Sequence, residues 1–495
     1  MTERDSKIIT TFSQRRAIEQ AIKALGETTT EEELDQRVAE IANLGEGVLP
    51  ALINQLDTSN AQIRGGLGRL AQRLPREQIA AALRRAAGDR TRPERARLTA
   101  IMILERFLNE PVGPDLLKGL PSADQLAITA LEEALADIGE DPEVLMEYVA
   151  QLESEPLEVI EMTARATAHV QAPGVVELLR LLATHPQPSV ARIALQQLGM
   201  IRSGEAAAAL QSLLPNVSEA LRPLAERNLR KLSLSGVSVT PPRVTARRVL
   251  ISPIDSEGGQ TLLFLCPLAE GWDVLLINIL THDQEGLLDV FVAAVPAFQL
   301  PAPRSLGYTH TIHASRAPGM LFYQEASLEA GLALLAEAVR VHLRHSKALP
   351  LVYRCYSRHL WTEPWGQGKS EDERAEADDG SWEPGDAVRL LDHPAFQQWR
   401  IDPLRLEGRW GDPESNEGEK IRRWARIIFD AQTLSGLERR LQRMGLWLEA
   451  AGEGETARLA RWTAAHLRTV PPEEHPFLLR LIELGLSWRR PATGE

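Results

Sequence analysis

Six ten-residue segments in the first half of the chain share one pattern of apolar positions. They are AQIRGGLGRL (61–70), ERARLTAIMI (94–103), ADQLAITALE (123–132), EVIEMTARAT (158–167), SVARIALQQL (189–198) and EALRPLAERN (219–228). Aligned on Ile63, Ala96, Leu126, Val159, Val190 and Leu221, they stand 33, 30, 33, 31 and 31 residues apart. A fixed interval of this size limits the fold more than any other feature of the chain, because it implies a stack of similar units. Within each segment the apolar residues fall at helical spacing. A shorter apolar segment precedes most of them: 48–56, 76–86, 142–152, 175–183 and 205–214, with a weaker one at 114–120. Pro, Gly, Asn, Asp and Ser occupy the joints, where their backbone preferences favour turns. A single helix pair of this size cannot bury its own apolar face, whereas stacked pairs form one continuous core. The expectation is an α–α solenoid over residues 1–235, with 11–26 capping its open end.

The unit PQPSVARIALQQLGMIRSGEAAAALQSLL (186–214) resembles a HEAT repeat, specifically the short bacterial HEAT-like repeats also found in phycobilisome lyases. The resemblance is carried by Pro-x-x-Val, then Ala194, Leu198 and Gly199, with the usual arginine displaced by one place to Arg192. It covers about residues 30–235. It implies a solenoid that presents an extended binding surface. It also brings a bilin-handling, lyase-like role and a HEAT-like DNA glycosylase role as alternatives. The second sits poorly with a stretch whose only aromatics before residue 240 are Phe12, Phe107 and Tyr148.

Charge is divided sharply along this half. Residues 60–106 carry 11 basic and 4 acidic side chains, whereas residues 107–161 carry 14 acidic ones and only Lys118. The basic stretch is built from arginine, whose planar fork suits carboxylate and phosphate. Arg64, Arg69, Arg73, Arg76, Arg84, Arg85, Arg92, Arg95 and Arg97 are the candidate partner-binding residues, and an acidic protein segment is the expected ligand. The chain as a whole has a formal charge of −13, which opposes non-specific binding to nucleic acid or anionic membrane and leaves phosphate-backbone binding only at the basic units.

A different composition begins after LSLSGVSVTPPR (232–243), so 236–246 reads as a linker. Residues 247–254, 261–267, 272–280 and 287–295 are rich in Val, Ile, Leu and Phe and are separated by turn sequences. They predict a four-stranded antiparallel meander, apolar on both faces, within an α+β domain over 247–362. Two helices complete that domain: one capped by Ser327 and running to about 346, the other from 351 to about 360. Residues 363–386 form an acidic loop, and 387–495 a helical region holding most of the ten tryptophans, read as core and interface anchors. The fold class is therefore mainly α.

Chemistry-bearing motifs are sparse. Gly368-Lys369-Ser370 ends like a phosphate-binding loop, but Glu363 occupies the position of the first glycine and acidic residues follow. Cys355 and His359 stand four apart, as a thiol and imidazole on one helical face would. His282, His310, His313, His342 and His345 include two His-x-x-His pairs, a weak metal signal. With Cys355 and His359, three of these (His282, His310 and His313) define the enzyme alternative, a site within residues 250–360. No cofactor motif is present. Two cysteines fit a reducing compartment, and the charged beginning of the chain lacks the apolar stretch of a leader, so a cytoplasmic location without membrane attachment is expected. The reading with most support is a non-catalytic interaction scaffold or adaptor whose arginine-rich units bind an acidic segment, over which the chain's own acidic loop could compete.

Overall fold

In the computed structural model, residues 16–27, 31–45, 47–113, 116, 123–139, 141–268, 273–313, 320–362, 382–401 and 417–489 are described. The protein is mainly helical, with one antiparallel sheet of six strands. It divides into two compact units, residues 1–127 and 128–495. Among the described residues no helix is long and apolar enough to cross a membrane.

The first unit holds a helical segment at 16–23, then α1 (Glu31–Ala42), α2 (Val48–Asn54), α3 (Ala61–Gln72), α4 (Arg76–Gly88) and α5 (Glu94–Met102). A single π-helical turn, Ile103–Phe107, closes α5. The helices start where capping chemistry allows it: Asn60 Oδ1 accepts from the N–H groups of Gln62 and Ile63 at 2.9 and 3.1 Å, satisfying two otherwise orphaned donors of α3. The core is aliphatic, with Ile22, Leu52, Leu67, Leu70, Leu83 and Ile103 fully buried. Phe107 is the one aromatic residue packed against it among the described residues, and it fits because of a glycine. At Gly68 a Cβ would lie 2.4 Å from the Phe107 ring, so α3 can carry nothing larger there.

α6 (Ala123–Ile138) runs across the division. The second unit continues with α7 (Pro142–Glu153), α8 (Leu157–Ala166), α9 (Val175–Leu182), α10 (Pro188–Leu198), α11 (Gly204–Leu213) and α12 (Arg222–Leu234). From α8 onward each helix packs on its neighbour or next neighbour in sequence. Asp141 and Ser203 cap α7 and α11 through side-chain oxygens, and Pro stands in the first turn of α7 and α10, where its missing N–H costs nothing. The weaker expected helix at 114–120 lies outside the described residues except for Leu116, and so do residues 11–15 of the expected cap.

The sheet follows: β1 (Arg248–Ile251), β2 (Gly259–Pro267), β3 (Asp273–His282), β4 (Gly286–Pro296), β5 (Thr309–His313) and β6 (Met320–Ala326), in the order β4-β3-β2-β1-β6-β5. The four-stranded meander is thus extended by two strands on the β1 side. The crossover at 297–308 carries the chain from the β4 edge to the opposite edge, where β6 pairs antiparallel with β1. One sheet face lies against α13 (Leu328–Arg344), which Ser327 caps, and against the terminal helices. Val249, Ile251, Leu262, Phe264, Ile277 and Ile279 point that way and meet Leu335, Val339, Trp447 and Leu448. The other face carries a smaller cluster of Leu250, Leu263 and Tyr323.

Next come α14 (Leu351–Tyr356), a 3₁₀ turn at Ser357–His359, further 3₁₀ turns at 386–396, and α15 (Glu417–Ile428), α16 (Ala431–Ala450), α17 (Gly454–His466) and α18 (Pro476–Arg489). These helices and the sheet share a single core, to which Trp361, Trp399, Trp424, Trp447 and Trp462 belong together with the sheet residues. Trp447 Nε1 donates to Ile251 O in β1 at 3.2 Å and Trp399 Nε1 to Ile254 O, in the turn after β1, at 2.9 Å, which satisfies both buried indoles. Gly307 marks the closest approach of the crossover to α16: it has φ +85°, and a Cβ there would meet the Ala450 carbonyl. Residues 363–381, which include the phosphate-loop-like Gly368-Lys369-Ser370 and most of the acidic loop, lie outside the described residues.

Candidate functional site

Between α2 and α4 the first unit has an open groove of about 320 Å³. Leu49, Ile53, Ala82 and Ala86 give it an apolar floor, Pro50 and Asn54 one wall, and Arg85, Asp89 and Arg92 the polar rim. The groove exists because α4 presents alanine at positions 82 and 86, one turn apart, where longer side chains would close it. Arg92 is held in place. Its Nη1 donates to Ile53 O at 3.2 Å and its Nε lies 3.5 Å from Asp89 Oδ2. Asp89 is in turn occupied by Thr91, whose N–H and hydroxyl donate to Oδ1 at 3.0 and 2.6 Å. Those hydrogen bonds from Thr91, helped by the charge of Arg92, hold the Asp89 carboxyl below its ordinary value. Arg85 is exposed, and its Nε donates to Ala81 O at 3.3 Å.

The other arginines expected at the site are placed differently. Arg76 and Arg84 both hold Glu110, and their hydrogen bonds depress its pKa. Arg69 pairs with Asp35 at 2.8 Å, and Arg64 donates to the carbonyls of Thr58 and Ser59, bracing the turn before α3. Arg73 and Arg95 are exposed. Arg97 is 4% exposed, and its Nε donates to Ala87 O at 2.9 Å, so this candidate serves as a buried brace between α4 and α5 and cannot meet a partner. Of the nine candidates the structure gathers two, Arg85 and Arg92, around an apolar depression. What sequence reading missed is the depression. Its signal was the Ala82/Ala86 pair beside Arg85.

In the second unit, Cys355 and His359 are each engaged elsewhere. The Cys355 thiol faces Pro142 O at 3.9 Å, and burial pushes its pKa up to about 11. His359 Nδ1 lies 2.8 Å from Val244 O and Nε2 accepts from Arg358 at 3.4 Å, the pattern of a neutral imidazole; burial lowers its pKa to about 4. A protonated thiol and an imidazole committed to the backbone do not make an activated nucleophile. The residues around them form a buried polar network. Arg180 donates to the carbonyls of Arg354 and Cys355 at 2.6 and 2.7 Å, to Ser357 Oγ at 3.1 Å and to Glu177. Arg354 donates to Leu181 O at 2.7 Å and Thr184 Oγ1 at 2.9 Å and pairs with Glu153. Burial alone would raise the Glu177 pKa, but the charge and hydrogen bonds of Arg180, joined by the charge of Arg358, together outweigh it and hold the carboxylate ionised.

The histidines are similarly occupied. His310 Nε2 is 2.8 Å from Glu325 Oε1, and Arg248 binds the same carboxylate and Pro301 O. His342 and His345 contact the carbonyls of Ala348 and Gln284, and His282 Nδ1 accepts from the backbone of residues 284 and 285. The His313 side chain is outside the described residues. Among the described residues no group of three or more His, Cys, Asp or Glu is arranged to hold a metal ion. Comparison with protein-family models, with curated proteins and with solved structures found no match to this chain.

Proposed function

We infer that this chain is a non-catalytic interaction protein whose first unit binds an acidic segment of a partner protein. In this reading residues 30–235 form a HEAT-like array. The near-constant interval of the apolar segments supports it, and so does the packing of α8 to α12 on successive neighbours. The observation that carries the function is the groove between α2 and α4: an apolar floor with two arginines on its rim, in a stretch with 11 basic and 4 acidic side chains. Arginine, with its weakly hydrated fork, favours carboxylate recognition at such a rim. Nucleic acid is the weaker fit, because the groove offers no aromatic surface on which a base could stack.

The test is a titration of the full chain with a labelled glutamate-rich peptide at low and at physiological salt. Saturable binding that weakens with salt and with Arg85→Glu supports the reading. A flat signal at low salt removes it.

A further inference from the structure

We propose that the groove between α2 and α4 receives a single bulky apolar side chain from the acidic partner, with Arg85 and Arg92 taking carboxylates on either side of it. This rests on the reading of the first unit as a binder of acidic segments and adds what that reading leaves open, namely how one acidic sequence is told from another.

Three features point to an anchor residue. Leu49, Ile53, Ala82 and Ala86 form the apolar part of the lining, against which an apolar side chain gives up no hydrogen bond. The groove volume of about 320 Å³ has room for one bulky side chain and for part of the segment that carries it. The two rim cations also differ in freedom. Arg92 is fixed by Ile53 O and Asp89 and offers a carboxylate a preset direction, at little entropic cost. Arg85 lies on the exposed rim of α4 and can adjust to the second carboxylate. Asp89, the one acid among the lining residues, is paired with Arg92 and takes two hydrogen bonds from Thr91, so the net positive charge met by an incoming anion is that of Arg85, with Arg92 acting as a fixed hydrogen-bond donor. The partner chemistry is therefore a short segment with an aliphatic or aromatic residue flanked by Glu or Asp. Charge alone would accept any acidic stretch. The floor adds selection by shape.

The experiment uses the full chain and an array of peptides with the same number of glutamates and one variable central residue. Leu, Ile, Met or Phe at the centre should bind about ten-fold more tightly than Ala or Ser, as expected for partial burial of a few methylene groups. Ala82→Leu, which fills the groove from α4, should erase that preference and leave the salt-sensitive binding of the Ala-centred peptide. Arg85→Glu should weaken every peptide. Circular dichroism of both variants checks that they fold. If Leu- and Ala-centred peptides bind the wild-type chain equally, the groove proposal is overturned while the acidic-partner reading stands. If no acidic peptide binds at low salt, both fall. An oligonucleotide of equal charge that competes as well as the Leu-centred peptide overturns the proposal in favour of simple anion attraction.

Discussion

Arg84 in the first unit and Arg180 in the second are both ion-paired, yet they have little else in common. The Arg84 side chain is 45% exposed and Arg76, which shares its partner Glu110, is 65% exposed. The Arg180 and Arg354 side chains are each 2% exposed, and Arg440, which holds Asp283 and Ser256 O, is 8% exposed. An exposed guanidinium keeps its water, so its ion pair adds little to folding and it stays available to a ligand. A buried one must find protein acceptors for its donors or leave a desolvated charge behind. Arg180 does so with four acceptor groups from two separate parts of the chain. The same residue type is therefore a surface reagent in one unit and a tie in the other, and arginine content by itself does not distinguish them.

The largest test of that contrast is Arg180→Ala. It leaves Glu177 with Arg358 alone, at 3.5 Å, and takes the Arg180 donors away from two buried carbonyls, of which that of Arg354 keeps the Ser357 hydroxyl; the loss should be about 3 kcal/mol in denaturant unfolding. A loss below about 1 kcal/mol would break the comparison. Acid comes next. Burial lowers His359 and His475 to about 4, against an ordinary value of 6.5. The unfolded chain therefore takes up these protons first. Stability is full above pH 6.5 and falls as pH drops toward 4, by about 2–3 kcal/mol per histidine near pH 4.5. Unfolding free energies at pH 7 and 4.5 measure this, and His359→Asn should make the slope shallower.

Thiol chemistry sharpens the same contrast between buried and exposed groups. Burial raises Cys355 to about 11 and Cys266 to about 12. At pH 8 the native chain should react with a thiol reagent at least about 100-fold more slowly than the denaturant-unfolded chain. Comparable rates would show that the two thiols are not sealed. The smallest effect belongs to Arg84→Gln, which opens an exposed pair. Its melting temperature should move by about a degree or less.

The helices were legible because their signals are local. Apolar spacing, Asp141 before Pro142 and Ser327 before Leu328 all act within a turn or two. The helical character of the end of the chain was legible in the same way, and Asp430, by accepting from Thr433 N at 2.8 Å, starts α16 at Ala431. β5 and β6 were harder because their pairing is set by a crossover that returns the chain to β1. Cys355 and His359 misled for a clear reason. A spacing of four stacks side chains only on an α-helix, and α14 ends at Tyr356 in a 3₁₀ turn. For the arginines, the Ala82/Ala86 pair beside Arg85 is a faint local signal, and charge alone does not separate Arg85, at the groove, from Arg97, which folds back onto Ala87 O. That difference is decided by which helix face is covered, and only the packed structure shows it.

The Arg180 tie also limits where this chain can be cut. The composition changes near residue 240, and a fragment ending there would look like a natural piece. It would lose the carbonyls of residues 354 and 355 that receive Arg180, the Thr362 carbonyl that receives Gln211, and the Tyr353 hydroxyl that donates to Asn216. Three polar side chains shaped for a dry interior, Arg180, Gln211 and Asn216, would then face solvent together with the apolar surface around them. The helices from 142 to 216 and the strands after 247 should therefore melt as one cooperative body, and a fragment that separates them should be sticky and poorly ordered.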